Sequence, residues 1–163
     1  MREDKHSRRL NVADLADPRH FLALGMGSGL SPKAPGTLGT LVAVPLYLLL
    51  QGLPLWVYLL LVLAAFVLGV WLCEVTARNL GVHDHPGIVW DEFVGYWLTM
   101  AAAPQGWQWV LLGFVLFRLF DIAKPWPIHQ ADRHLSGGFG IMFDDVLAGV
   151  YAWLVLQALA FYL

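Results

Sequence analysis

The sequence is short of charge. Of its 163 residues only 13% are Asp, Glu, Lys or Arg, while 58% are hydrophobic; soluble domains carry about 25% charged and about 45–50% apolar residues. The mean hydropathy is +0.61. A chain with so little to offer water predicts a membrane protein. Eight Trp agree with this, because indole rings favour the headgroup region. The net charge of −2 provides no polyanion-binding surface, so nucleic acid is not an expected partner.

Cysteine is nearly absent. The single Cys73 excludes an internal disulfide and a multi-cysteine metal site. As a nucleophile it is badly placed. Arg78 follows one residue too early for a Cys-to-Arg phosphate loop, and Cys73 closes an apolar run. A packed or lipid-facing thiol is expected. No cleavable signal peptide is expected, since Met1 to Arg19 is polar and mixed in charge, and targeting should fall to the membrane segments themselves. Strand-like alternation and internal repeats are missing too, which leaves an all-α fold.

The longest uncharged runs are Leu53 to Cys73 and Val146 to Leu163. The first, at about 1.5 Å per residue, spans a hydrocarbon core of roughly 30 Å. Trp107 to Phe117, Leu38 to Leu50 and Phe93 to Ala103 are shorter and predict short spans or half-helices. Gln51-Gly52-Leu53-Pro54 and Pro104-Gln105-Gly106 predict hairpin turns. The expected architecture is a multihelical membrane bundle with about three to five transmembrane or half-spanning helices: a polar tail over 1–19 and one membrane domain over 20–163. The tail carries Arg2, Lys5, Arg8, Arg9 and Arg19 and should stay cytoplasmic. If each hairpin crosses and returns, segments 74–90 and 121–144 share that side, and nearly every ionisable residue falls on one membrane face.

Four segments carry chemistry. Gly25 to Gly39 holds five glycines with Ser31, Lys33 and Thr37. Its backbone can approach an anion, Lys33 supplies positive charge, and Thr37 is placed to cap a helix beginning near Leu38. The segment around His83, Asp84 and His85 leads to Asp91 and Glu92 at a helix start. Arg118, Asp121 and Lys124 share one helical face. Asp132, Arg133 and a glycine stretch lead to Asp144 and Asp145 at what reads as another helix start. Each acidic pair has a glycine one turn further on, Gly95 and Gly149, and small residues allow close helix contact. If those helices pack side by side, four carboxylates converge. They would repel one another unless a cation neutralised them, and hard oxygen ligands suit Mg2+. Mg2+ with Lys, Arg and a glycine loop is equipment for phosphoryl chemistry.

Four blocks together, 27–37, 83–95, 117–128 and 137–149, resemble the phosphatidylglycerophosphatase A family in order and in content, over about residues 20–163. The resemblance implies a bacterial inner-membrane, multi-pass enzyme with its site on the cytoplasmic face. It would remove the terminal phosphate of the phospholipid phosphatidylglycerophosphate with Mg2+. On that reading Asp91, Glu92, Asp144 and Asp145 hold the metal, and Asp84 and Asp121 are further ligands or a general base. Ser31, Lys33, Thr37, Lys124 and Arg133 contact phosphate, and His85 or His83 protonates the leaving oxygen. Water attack is favoured, with a phospho-aspartate left open. Two other readings compete. A cation channel would place acids at mid-span, and a CDP-alcohol phosphotransferase would need a spaced signature that the chain lacks.

Overall fold

The computed structural model describes residues 8–163; residues 1–7, with Arg2 and Lys5 of the tail, lie outside the described residues. The described part of the tail is a capped surface element. A 3-10 helix, Val12–Ala16, is closed at its start by Asn11 and Asp14, each accepting an N–H of the turn. Asp17 then caps α1 (Pro18–Ala23) by accepting from Arg19 N–H.

A second 3-10 helix, Gly25–Leu30, precedes the remaining helices: α2 (Pro35–Leu50), α3 (Leu55–Leu80), α4 (Trp90–Thr99), α5 (Trp107–Ala123), α6 (Ile128–His134) and α7 (Gly137–Tyr162). Among the described residues there is no strand, so the all-α expectation holds.

Three helix starts or ends differ from the sequence-based expectation. α2 begins at Pro35, after Ala34 in the left-handed region (φ 46°). Thr37 is therefore inside the first turn and caps nothing; proline suits that start because its missing N–H is one the first turn leaves unpaired. α3 runs past Cys73 to Leu80, helped by a 2.7 Å Arg78–Glu74 ion pair one turn apart, and stops at left-handed Gly81.

The largest correction concerns α7. The expected flexible glycine stretch is its first turn, so Asp144 and Asp145 lie two turns inside the helix rather than at its start. Close packing is the cause: a β-carbon at Gly138 would fall 1.9 Å from Val70 O. The new helix start is capped from another helix, with Glu74 of α3 accepting Gly138 N–H at 2.6 Å.

Contacts fix the helix directions. From α4 to α7, Gly95 meets Asp145 and Gly149, Thr99 meets Gly149, and Ala101 meets Trp153 and Gln157. Both sequences ascend together, so the two helices are parallel. α2 is parallel to α4 by the same test (Thr40 to Glu92, Ala43 to Trp97). α5 opposes α4 (Arg118 to Glu92, Gly113 to Met100), and α3 opposes α7. The starts of α2, α4 and α7 and the ends of α3 and α5 thus gather at one end of the bundle, and both short turns lie at the other. α4 has only 10 residues, about half a hydrocarbon core. Its end is satisfied within the bundle, where Ala101 O accepts from Trp153 Nε1 and Gln157 Nε2.

The core is apolar and fully buried, with Phe93, Tyr96, Phe117, Met142 and Leu156 among its largest members. Cys73 is part of it, at 0% exposure and 3.8 Å from Met142 Sδ. The outer surface is apolar as well. Trp56, Leu60, Leu63, Val67 and Trp71 of α3 are exposed, as are Leu111, Val115 and Leu119 of α5. A belt of that extent calls for lipid. α3 and α7 are each long and apolar enough to cross a membrane, and the protein is membrane-associated.

Candidate active site

The site forms where α4 and α7 close on each other. At the crossing, a β-carbon on Gly95 would come 2.9 Å from Asp145 O, and one on Gly149 would come 2.6 Å from Gly95 O. Asp91 and Asp145 each stand four residues before their crossing glycine, one turn towards the open end of the bundle. This contact sets the turns that carry Asp91 and Asp145 side by side.

The tightest grouping is Asp121 from the last turn of α5 with Asp144 and Asp145 from α7. One carboxylate oxygen from each lies within 4.8 Å of the others. Asp145 is 3% exposed, and its Oδ2 is buried with no hydrogen-bond partner among the described residues. An orphaned, buried carboxylate oxygen beside two more carboxylates is what a hard cation would complete. Magnesium therefore fits the residues present, and Asp121, expected as a secondary ligand, belongs to the central group.

Glu92 is held differently. It is buried, and its two oxygens accept from Arg118 Nη1 at 2.7 and 2.8 Å, while Thr40 Oγ1 donates to one of them at 2.7 Å. The same Arg118 nitrogen donates to Asp121 Oδ2 at 2.5 Å. Arg118 thus joins Glu92 of α4 to Asp121 of α5, and Glu92 has less freedom to serve an ion than the other acids. Gly36 makes room for this pair, since a β-carbon there would meet Glu92 Oε1 at 2.2 Å. Asp91 accepts from the Glu92 N–H at 2.9 Å and is an electrostatic neighbour of Glu92, Asp144, Asp121 and Asp84.

Lys124 ends α5 in the left-handed region (φ 44°). Its ammonium donates to Asp144 at 2.5 Å and to Asp132 of α6 at 3.0 Å. Burial works against that charge, but the two carboxylates outweigh it and hold Lys124 above the ordinary lysine value. At the rim, Asp84 is exposed, and partial desolvation of its carboxyl with repulsion from Asp132 raises it above its ordinary value.

Other expected site residues are engaged elsewhere. Ser31 Oγ donates to Lys33 O and accepts from Lys33 N–H, closing a local turn, and the Lys33 side chain is exposed. Thr37 is half-buried and Arg133 is exposed at the end of α6. Gly25 and Gly29 press against the chain before α4; a β-carbon on Gly29 would fall 1.9 Å from Gly87 O. His85 Nδ1 accepts from Gly87 N–H, and its Nε2 contacts Arg8 O at 2.9 Å. His83 Nε2 accepts from Gly137 N–H. Both histidines are tied to backbone. The link from Glu92 to Thr40 was not read from the sequence because it joins residues far apart in the chain, and that from Lys124 to Asp132 because it depends on how the chain turns between α5 and α6.

Comparison with known proteins finds a family and close relatives. The family model described as Phosphatidylglycerophosphatase A matches residues 21–160. A phosphatidylglycerophosphatase A of Escherichia coli K12 is 53% identical over 83% of this chain and 80% of its own length. One from Haemophilus influenzae is 48% identical over 94% and 96%. A Bacteroides thetaiotaomicron protein, provisionally named a phosphatidylinositol-3-phosphatase, is 40% identical over 83% and 89%. No solved structure matches the chain. An acid centre built from the matched blocks, with relatives this close over most of their length, leaves one conclusion: the chain belongs to the phosphatidylglycerophosphatase A family of phosphatase enzymes.

Proposed function

We propose that this protein hydrolyses the terminal phosphate of phosphatidylglycerophosphate, giving phosphatidylglycerol, at an acid centre that uses Mg2+. The observation that carries the metal is the buried, unpartnered Asp145 Oδ2 within reach of Asp121 and Asp144. Those three residues would hold the ion, and Asp91 stands beside them as a fourth acid outside the ligand set. Bound there, the ion would supply countercharge, polarise a phosphoryl oxygen and make water more acidic.

The chain's own groups do the rest. Arg118 fixes Asp121 and neutralises Glu92, so neither has to reorganise when substrate arrives. Lys124 keeps its charge beside Asp144 and is placed to take a phosphate oxygen as the substrate displaces part of its carboxylate contact. Asp91 is the carboxylate left to accept a proton from the attacking water.

The substrate rests on the relatives from Escherichia coli and Haemophilus influenzae. We place the protein as multi-pass in a bacterial inner membrane, with the acid centre cytoplasmic. Support comes from Arg8, Arg9, Arg19, Lys33, Lys124 and Arg133 in the segments at the site end, against uncharged turns at 51–54 and 104–106.

The test is phosphate release by purified protein from phosphatidylglycerophosphate and, in parallel, phosphatidylinositol 3-phosphate, with Mg2+ and with chelator. Release from the first lipid that stops with chelator and returns with Mg2+ is expected. Undiminished release in chelator would remove the metal. Faster release from the inositol lipid would replace the substrate.

A further inference from the structure

A cleft of about 550 Å³ lies beside the acid centre and takes no part in it. Arg8, Arg9 and Leu10 line it from the arginine wall of the N-terminal segment, and Ser31, Pro35 and His85 are among the residues that complete the lining. Two contacts pin the arginine wall. Because His85 Nδ1 accepts from Gly87 N–H, Nε2 carries the proton and donates to Arg8 O at 2.9 Å. Leu10 packs on Gly87, where a β-carbon would come 2.3 Å from Leu10 Cδ1. The segment is thereby held over the cleft although it forms no helix of its own.

The charge around the cleft is positive. Arg8 pairs with Asp14 at 2.5 Å, and Arg9 has no ion pair among the described residues. Lys33 stands exposed on the loop between Ser31 and Pro35. The first turn of α2 separates the cleft from the acids: Pro35 lines the cleft, and the next residue, Gly36, sits against Glu92 and Arg118. A cationic cleft and an acid centre therefore share one thin wall.

We propose that this cleft is a headgroup subsite that takes a phosphate-bearing anion, the phosphodiester of an anionic phospholipid, on Arg9 with Arg8 beside it. The identity of the lipid rests on the proposed function. A substrate carrying a monoester and a diester on one glycerol headgroup has two anionic ends. One end suits a cation held by carboxylates, and the other suits guanidinium groups. The diester is the part that hydrolysis leaves on the product. Arg8 and Arg9 precede the segment matched by the family model, which begins at residue 21.

The experiment uses the full chain in neutral detergent. It is titrated with a short-chain phosphatidylglycerol, which has the diester and no monoester, and separately with inorganic phosphate. Arg9→Gln is expected to weaken lipid binding about fivefold and to leave phosphate binding unchanged, with Arg9→Lys restoring most of the loss. With phosphatidylglycerophosphate as substrate, KM should rise by a similar factor while kcat holds. Arg8→Gln frees Asp14 and can loosen the segment, so Arg9→Gln is the deciding variant. Equal lipid affinity in wild type and Arg9→Gln overturns the subsite. Parallel loss of phosphate affinity overturns the lipid as its occupant in favour of a free-anion site. A protein that releases no phosphate from any lipid would instead refute the acid-centre reading, and the binding comparison would still judge the cleft.

Discussion

Gly149 lies directly against the backbone carbonyl of Gly95, so close that a β-carbon on Gly149 would stand 2.6 Å from that oxygen. This contact sets the spacing of α4 and α7, and through it the distance between Asp91 and Asp145. Gly149→Ala should push the helices apart. The expected cost is about 1–3 kcal/mol, as for other overpacked positions, together with loss of activity. Unfolding in detergent and phosphate release measure the two effects. An alanine variant with full stability and activity would mean that the crossing tolerates displacement.

The three grouped acids should be individually required. Asp121→Asn, Asp144→Asn and Asp145→Asn are each expected to lower kcat by on the order of 10². Asp145→Asn should fold at least as well as wild type in the absence of metal, since it removes a buried carboxylate whose Oδ2 has no partner. Phosphate release against Mg2+ concentration, alongside thermal unfolding without metal, separates a lost ligand from a lost fold.

Arg118 is the cationic partner of buried Glu92, so Arg118→Ala strands that carboxylate and is expected to cost about 3–5 kcal/mol. Glu92→Ala should cost less, because Arg118 keeps its contact with Asp121. A double variant, Arg118→Met with Glu92→Gln, should cost less than the sum. A double-mutant cycle on unfolding free energy checks this. Strict additivity would deny the coupling.

Lys124 should matter through its charge. Lys124→Met is expected to cripple hydrolysis. The bonds to Asp144 and Asp132 raise its folded pKa above the ordinary value of 10.5. Its stabilising contribution is therefore complete below 10.5 and is lost only as pH climbs through the raised value. Wild-type activity should accordingly show no limb assignable to Lys124 below about pH 10. A pH–rate profile in which alkaline wild type mimics Lys124→Met near neutrality would contradict it.

Cys73 is buried against Met142 and away from solvent. Cys73→Ser should keep full activity, and the hydroxyl should cost about 1–3 kcal/mol in an apolar site. Loss of activity in a folded Cys73→Ser protein would reopen a thiol mechanism.

Much of the site was legible in the sequence because its devices are local. Acid pairs followed by glycine at the next turn foretold a helix contact, and Gly95 against Gly149 is that contact. Arg118 and Asp121, three residues apart, foretold their ion pair. What escaped were features set by tertiary packing. The sequence puts the start of α7 at Asp144 and Asp145, because Gly137, Gly138 and Gly140 read as a flexible stretch. They are helical because α3 leaves no room for side chains at 137 and 138, Leu135 leaves none at 140, and Glu74 supplies the missing cap. The release of Glu92 from the expected metal set escaped for the same reason: nothing near it in the sequence announces Thr40 or Arg118 as its partners. In the segment 25–39 a packing reason also escaped: Gly29 is small because Gly87 O is in the way.

The depth of the acids in α7 has a kinetic meaning. Asp144 sits seven residues after Gly137, roughly 10 Å along the helix axis, on a helix whose outer surface belongs to lipid. Under the proposed function a phospholipid need not leave its leaflet to be processed; it arrives by lateral diffusion and departs the same way. The concentration that governs turnover is then two-dimensional. Diluting the substrate with inert lipid at constant bulk amount should slow the enzyme, whereas diluting the vesicles themselves should not.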